Sequence, residues 1–272
     1  MNLVQVAPSL LVGKSRIFEM NAGIFVRGGD AYLVDPGIFP DEIDRIARGS
    51  EAQLRGIVIT HSHWDHILGP ERIGGVPIIA QARAAFNLAA DCLETDGLVA
   101  QRLAAHGFTR ETPFAAPQID VSFGDELELP FAASSLRLLH SPGHCDDQLV
   151  VYDALEQTLW AADMLSDVEI PFVQDVKAYR TTLDRLAQLD IARLVPGHGN
   201  ATSDSDDIRG RFDWDREYLM RLDDEVTREA SAGRSLEQVR DALSSWPLRR
   251  PDINAAEHLR NIGTVYSRLA RS

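Results

Sequence analysis

The sequence predicts an α+β fold in which two mixed β-sheets face each other as a four-layer αββα sandwich with helices outside, followed by a helical tail. Three observations carry this expectation. The first 60 residues run in short apolar–polar alternations broken at Gly, Asn and Asp, a second series of such runs lies between positions 118 and 162, and from Ser205 onward no strand pattern appears.

Taken in order, Val4–Val12, Asn21–Arg27 and Ala31–Asp35 read as strands, with Gly28-Gly29-Asp30 placed as a hairpin turn between the last two. Asp41 to Ala47 has an acidic opening and helical apolar spacing, and Gly56 to Thr60 is an apolar strand. The Ala- and Leu-rich stretch Gln81 to Leu103 reads as one or two helices lying outside the strands. The second strand series comprises Gln118–Val121, Glu126–Leu129, Ser135–His140, Gln148–Tyr152 and Thr158–Ala162. The amphipathic helix Ala178–Leu189 then feeds the strand Arg193–Val195. In the tail, Asp206–Ala232, Ser235–Ser245 and Asp252–Ala270 read as helices punctuated by Gly233, Pro247 and Pro251. The expected division is a catalytic domain over 1–204 and a helical extension over 205–272 packed on the same body.

Composition narrows the function classes. The 272 residues include 27 basic and 41 acidic side chains, a net charge of −14, and the basic residues are two lysines, Lys14 and Lys177, with arginines spread over the rest. Such an excess of negative charge repels polyphosphates, so nucleic acid is not the expected partner and a small-molecule substrate is. No apolar run reaches membrane-spanning length, and Met1–Asn21 lacks a basic segment followed by an apolar stretch, so a cytoplasmic location without membrane attachment is expected. Two cysteines, Cys92 and Cys145, are too few for a disulfide scaffold or a cysteine-based zinc module. A metal site in this chain must use His and carboxylates. Dimers being the commonest assembly, a homodimer is the default oligomer.

The stretch that carries chemistry is Thr60-His61-Ser62-His63-Trp64-Asp65-His66, directly after an apolar strand. Strand alternation is expected to project His61 and His63 to one side, with Asp65 and His66 pointing back from the turn, a set that suits a pair of divalent ions. Three further candidates sit at strand ends: His144 in Ser141-Pro142-Gly143-His144, Asp163 after Leu159-Trp160-Ala161-Ala162, and His198 in Val195-Pro196-Gly197-His198-Gly199. A Pro-Gly pair before each of two His residues predicts a tight turn that presents the imidazole. His106, His140 and His258 each stand alone and read as ordinary surface or core residues. Cys145 reads as a small packing residue, Trp64 as lining or underlying a pocket, and Asp204, Asp206 and Asp207 as a solvated helix start.

This run, His-x-His-x-Asp-His followed by a lone His, a lone Asp and a final His, resembles the signature of the metallo-β-lactamase superfamily, and the likeness spans roughly Asn21 to His198. The resemblance implies that His61, His63 and His144 hold a first metal, that Asp65, His66 and His198 hold a second, and that Asp163 bridges them. It implies two zinc ions per chain, with Fe or Mn as alternatives, and a bridging hydroxide that attacks a carbonyl or phosphoryl centre. Asp65 is the expected catalytic carboxylate, its second oxygen orienting the nucleophile, and Asp35 in Val34-Asp35-Pro36-Gly37 is the expected outer acceptor for an imidazole N–H.

Departures from subfamily patterns sharpen the substrate. Class B β-lactamases lack the bridging Asp that Asp163 supplies here. Glyoxalase-II-like enzymes resemble the metal run but hold glutathione through an Arg-x-x-Lys pair, and no lysine follows Lys177. Acyl-homoserine lactonases carry a Tyr where Ser166 stands. The second half, with Asp175 and Tyr179 before a helix and Glu257-His258-Leu259-Arg260-Asn261-Ile262-Gly263 in the tail, is similar to β-lactamase-like endoribonucleases and related hydrolases. Trp64 and Tyr179 are the expected pocket residues. The reading is a zinc hydrolase of a small ester, thioester or lactone; the alternatives are a phosphodiesterase or endoribonuclease, and an iron persulfide dioxygenase.

Overall fold

The computed structural model describes residues 1–90 and 92–269. Its first sheet has seven strands in sequence order: β1 (Leu3–Ala7), β2 (Leu10–Lys14), β3 (Asn21–Arg27), β4 (Asp30–Val34), β5 (Gln53–Val58), β6 (Ile78–Gln81) and β7 (Val121–Phe123). The sheet is mixed, antiparallel from β1 to β4 and parallel from β4 to β7. The second sheet is formed by β8 (Glu126–Phe131), β9 (Ser134–His140), β10 (Leu149–Asp153), β11 (Thr158–Trp160) and β12 (Arg193–Val195) in the order β12-β11-β10-β9-β8. The eight described helices are α1 (Pro40–Ala47), α2 (Gly69–Ile73), α3 (Ala82–Ala90), α4 (Cys92–Ala105), α5 (Val176–Leu186), α6 (Ser205–Ser231), α7 (Leu236–Leu243) and α8 (Pro251–Leu269).

Several elements differ from the sequence expectation for identifiable reasons. The single strand expected over Val4–Val12 is a hairpin, because Pro8 lacks an N–H for the ladder and the chain turns at Pro8-Ser9. β6 and α2 are additional; their apolar runs are too short for either period to show. The strand expected over Gln118–Val121 is displaced to Val121–Phe123, where it pairs with β6 through Ile79, Ala80 and Gln81. In the Gln81–Leu103 stretch the structure forms α3 and α4, with Asp91 outside the described residues; the expected end of the last helix, Ala270, is outside them too.

The chain divides into two compact units, Met1–His140 with Asp147–Thr158, and Ser141–Asp146 with Leu159–Ser272. The first builds its core around Ile17, Met20, Phe39, Ile59, Ile67 and Leu103 on one side of the parallel strands and Ile24, Leu33, Ile46 and Ile57 on the other. β3 and β4 are joined across Gly28-Gly29, both at positive φ, as the register Arg27↔Asp30 requires. In the second unit α6 packs on α5, α7 and α8. Asp204 starts α6 by accepting the backbone N–H groups of Asp206 and Asp207 at 2.8 and 3.3 Å. No helix among the described residues is long and apolar enough to cross a membrane.

Candidate metal centre

In the first unit the donor groups cluster just beyond β5. The strand ends at Val58, so His61 and His63 lie in the following turn; strand alternation is therefore not what brings them together, a correction to the sequence reading. Asp35 organises this turn. Its buried carboxylate accepts the Thr60 N–H at 2.8 Å and the Thr60 hydroxyl at 2.7 Å, and lies 2.9 Å from His66 Nδ1. With Nδ1–H donated to Asp35, His66 presents the lone pair of Nε2. The Thr60 hydroxyl, having given its proton to Asp35, can accept from His61 Nδ1 at 3.0 Å, which orients His61 in the same way. His61 Nε2 and His63 Nδ1 face each other at 3.0 Å, and the His61 and His66 rings are 4.2 Å apart. Asp65 Oδ2 lies 3.8 Å from His66 Nε2. Asp147, from the same unit, fixes the turn by accepting the Ser62 N–H at 2.9 Å. Trp64 is half-buried, packed against the apolar cluster and edge-on to Phe18.

In the second unit three donors arrive from three loops. Asp163 follows β11, His144 follows Gly143, and His198 follows Gly197. The two oxygens of Asp163 address different imidazoles: Oδ2 is 3.5 Å from His144 Nε2, and Oδ1 is 3.6 Å from His198 Nε2. Both separations exceed a good hydrogen bond. They match two ligands sharing one cation, since ligand bonds of 2.0–2.2 Å at the tetrahedral angle place donors about 3.4 Å apart. The donor set of His nitrogens and a two-sided carboxylate thus fits divalent ions.

The outer contacts of these histidines were not foreseen from sequence. His144 donates Nδ1–H to the Phe172 carbonyl at 3.1 Å and stacks on the Phe172 ring. The His198 carbonyl accepts from the Ser166 hydroxyl at 2.7 Å, and its Nδ1 is 3.8 Å from Glu169 Oε1. A backbone carbonyl leaves no trace in a residue pattern, so Phe172 was not legible. Both Pro-Gly turns owe their glycine to close packing. A Cβ on Gly143, which has φ +139, would overlap the backbone of Tyr179, and one on Gly197 would overlap Asp163 Oδ1.

Tyr179 requires a correction: it is fully buried, and its hydroxyl donates to the Asp163 backbone carbonyl at 3.3 Å, so it supports the Asp163 backbone and does not line an accessible wall. Burial pushes its phenol well above the ordinary value. Cys145 is buried beside His144. His258 is buried in the tail between the Tyr218 hydroxyl and the Leu243 carbonyl, and His106 packs edge-on to Phe18 and Phe39. Among the described residues, the side chains suited to holding a metal are His61, His63, Asp65, His66, His144, Cys145, Asp163 and His198.

Comparison with known proteins assigns the family. Residues 18–198 match the model of the metallo-beta-lactamase superfamily, two thirds of the chain, and the chain belongs to that superfamily. It is 26% identical over 160 residues to a beta-lactamase-like protein 2 homolog of Drosophila melanogaster, covering 57% of this chain and 48% of the relative. It is 30% identical over 174 residues to a hydroxyacylglutathione hydrolase of Methylobacillus flagellatus, covering 62% of this chain and 58% of that protein. The chain thus spans about half the length of these two curated relatives. Among solved structures, a metallo-beta-lactamase family protein from Thermus thermophilus superposes with a TM-score of 0.72 at 20% identity, covering 98% of this chain and 95% of that one. That likeness shows the fold of two mixed sheets with helices.

Proposed function

We propose that this member of the metallo-beta-lactamase superfamily is a binuclear metal hydrolase that cleaves a small ester, thioester or lactone. His61, His63 and His144 would hold one ion, Asp65, His66 and His198 the other, and Asp163 would be shared by both. The observation that carries the reading is the carboxylate of Asp163, whose oxygens stand 3.5 and 3.6 Å from Nε2 of two different imidazoles, a spacing for shared ligands.

Divalent ions held there would supply a water activated near neutral pH and a positive field for the charge that develops on the cleaved group. The chain's own residues set the conditions for this. Asp35 and the Phe172 carbonyl hold His66 and His144 in the tautomer that offers Nε2, and the Thr60 hydroxyl does the same for His61. Asp65 contributes one oxygen as ligand and orients the attacking water with the second. Trp64 lines the substrate pocket beside this run. A donor set rich in imidazole suits zinc, with iron and manganese as competitors.

A small substrate is supported by the net charge of −14, which disfavours RNA. The likeness to a hydroxyacylglutathione hydrolase supports a thioester. The test is to purify the protein without added metal, count Zn, Fe and Mn per chain, and assay thioester, lactone, phosphodiester, RNA and glutathione persulfide. About two zinc ions with ester or thioester turnover is the expected result. One iron with oxygen uptake would overturn it. Asp65→Ala and His66→Ala should each empty one metal position and lower turnover by orders of magnitude; unchanged metal content in both would sink the two-ion assignment.

A further inference from the structure

The segment following Asp163 supplies outer contacts of two candidate ligand residues, His144 and His198. Ser166 donates to the His198 carbonyl, Glu169 faces His198 Nδ1, and the Phe172 carbonyl accepts from His144 Nδ1. Leu165 is at φ +60, a conformation a branched side chain does not take without external restraint. Most of what restrains this segment comes from the helical tail, beyond the residues matched by the family.

Asp215 on α6 accepts the Leu165 N–H at 3.1 Å, Arg211 reaches the Leu165 carbonyl at 3.4 Å, and Arg249 donates to the Ser166 carbonyl. Two buried asparagines on α8, seven residues apart and so on one face of the helix, continue the series. Asn254 donates to the Val168 carbonyl at 2.8 Å and accepts the Ile170 N–H at 3.4 Å. Asn261 donates to the Pro171 carbonyl at 2.7 Å and accepts the Val173 N–H at 2.9 Å. Each amide therefore pairs with backbone as a neighbouring β-strand would, and Asn261 brackets Phe172, the residue whose carbonyl orients His144. Asn261 is itself fixed: its amide also donates to the Tyr218 hydroxyl at 2.9 Å, which lies 2.9 Å from His258 Nδ1, while His258 Nε2 lies 3.1 Å from the Leu243 carbonyl.

We infer that Asn254 and Asn261 are positioning residues for the metal centre: the tail acts as a template that holds residues 165–173 in the one conformation that aims His144 and supports His198. Apolar residues at these two positions would pack α8 equally well but would leave two buried backbone N–H groups and two carbonyls of the segment without partners. The inference rests on the proposed role of His144 and His198 as ligands.

The test compares wild type with Asn261→Ala, Asn261→Asp and Asn254→Ala, and with Val239→Ala, a buried α7 substitution that touches none of the segment's hydrogen bonds. Zinc retention is read by competition with a chelator. Hydrogen exchange of residues 165–173 is followed in protein stripped of metal, and kcat is separated from KM on the thioester. The expected result for Asn261→Ala is zinc affinity lowered roughly 10- to 100-fold, the loss typical of removing an outer partner of a ligand. The segment should exchange faster while the rest of α8 stays protected, and kcat should fall with little change in KM. Asn261→Asp, which keeps the acceptor for Val173 but loses both donors, should fall in the same direction, and Val239→Ala should lower thermal stability with wild-type zinc affinity. Wild-type zinc retention and exchange in both Asn261 variants would overturn the inference alone, as would equal zinc loss in Val239→Ala. A wild-type protein that binds no metal would overturn the functional reading and this inference with it.

Discussion

The two units anchor their donor groups in opposite ways. In the first, four donors come from six consecutive residues, and one buried carboxylate, Asp35, gathers both groups of Thr60 and the ring of His66. In the second, His144, Asp163 and His198 come from three loops, and their support is spread over Ser166, Phe172, Tyr179 and the α6 and α8 contacts to residues 165–173. A compact run can be held from few points, here Asp35 and Asp147, because its backbone already keeps the donors together. Donors far apart in sequence need a template that spans them.

The largest expected effect tests the concentrated side. Asp35→Ala removes the acceptor of three buried donors, and at about 1–3 kcal/mol for each group left unsatisfied it should cost roughly 3 kcal/mol or more in denaturant unfolding. Ser166→Ala, on the distributed side, should cost visibly less, although its hydroxyl also accepts the Val168 and Glu169 N–H groups. Equal losses would remove the contrast between the units.

Gly197→Ala tests how closely the dispersed donors are packed. A methyl there must displace the Asp163 carboxylate, so zinc retention should drop more than about tenfold, the scale of disturbing a ligand's surroundings. Retention equal to wild type would mean that Asp163 has room to shift without consequence.

The pH dependence of the second unit should carry two opposing contributions. His258 is held below its usual value by burial, and its folded form is neutral, so the stability it contributes is present above about pH 6.5 and is lost as pH falls below that. Asp215 is pushed up to about 7 by burial, so the folded state keeps a proton that the unfolded state releases, and its contribution is lost as pH rises from about 4 toward 7. Melting temperatures at pH 5 and pH 8 should therefore separate the two variants: His258→Gln should flatten the acid loss, and Asp215→Asn should flatten the loss on raising pH. Parallel shifts in both would show that neither group titrates as its surroundings require.

The smallest effect belongs to Tyr179→Phe. It deletes a 3.3 Å hydrogen bond to the Asp163 carbonyl and should cost about 1 kcal/mol or less, with KM unchanged because the ring does not face a substrate. A raised KM would return Tyr179 to the pocket wall.

The sequence by itself determined the α+β class, most strands and helices, and the family, because a contiguous donor run and strand-end His and Asp residues are local patterns of residue type and spacing. It also indicated Asp35, whose aspartate stands directly after a strand. Only the tertiary structure decided that β1 and β2 are separate, that β6 completes the parallel part of the first sheet, and that Tyr179 is buried behind Asp163. It alone decided how the imidazoles of the second unit are oriented. The Phe172 carbonyl is backbone and present at every residue, and Asn254 and Asn261 read as ordinary polar positions on a helix until the backbone of residues 168–173 is laid against them. Side-chain chemistry is written in the sequence; which backbone groups it meets is set by packing between segments distant along the chain.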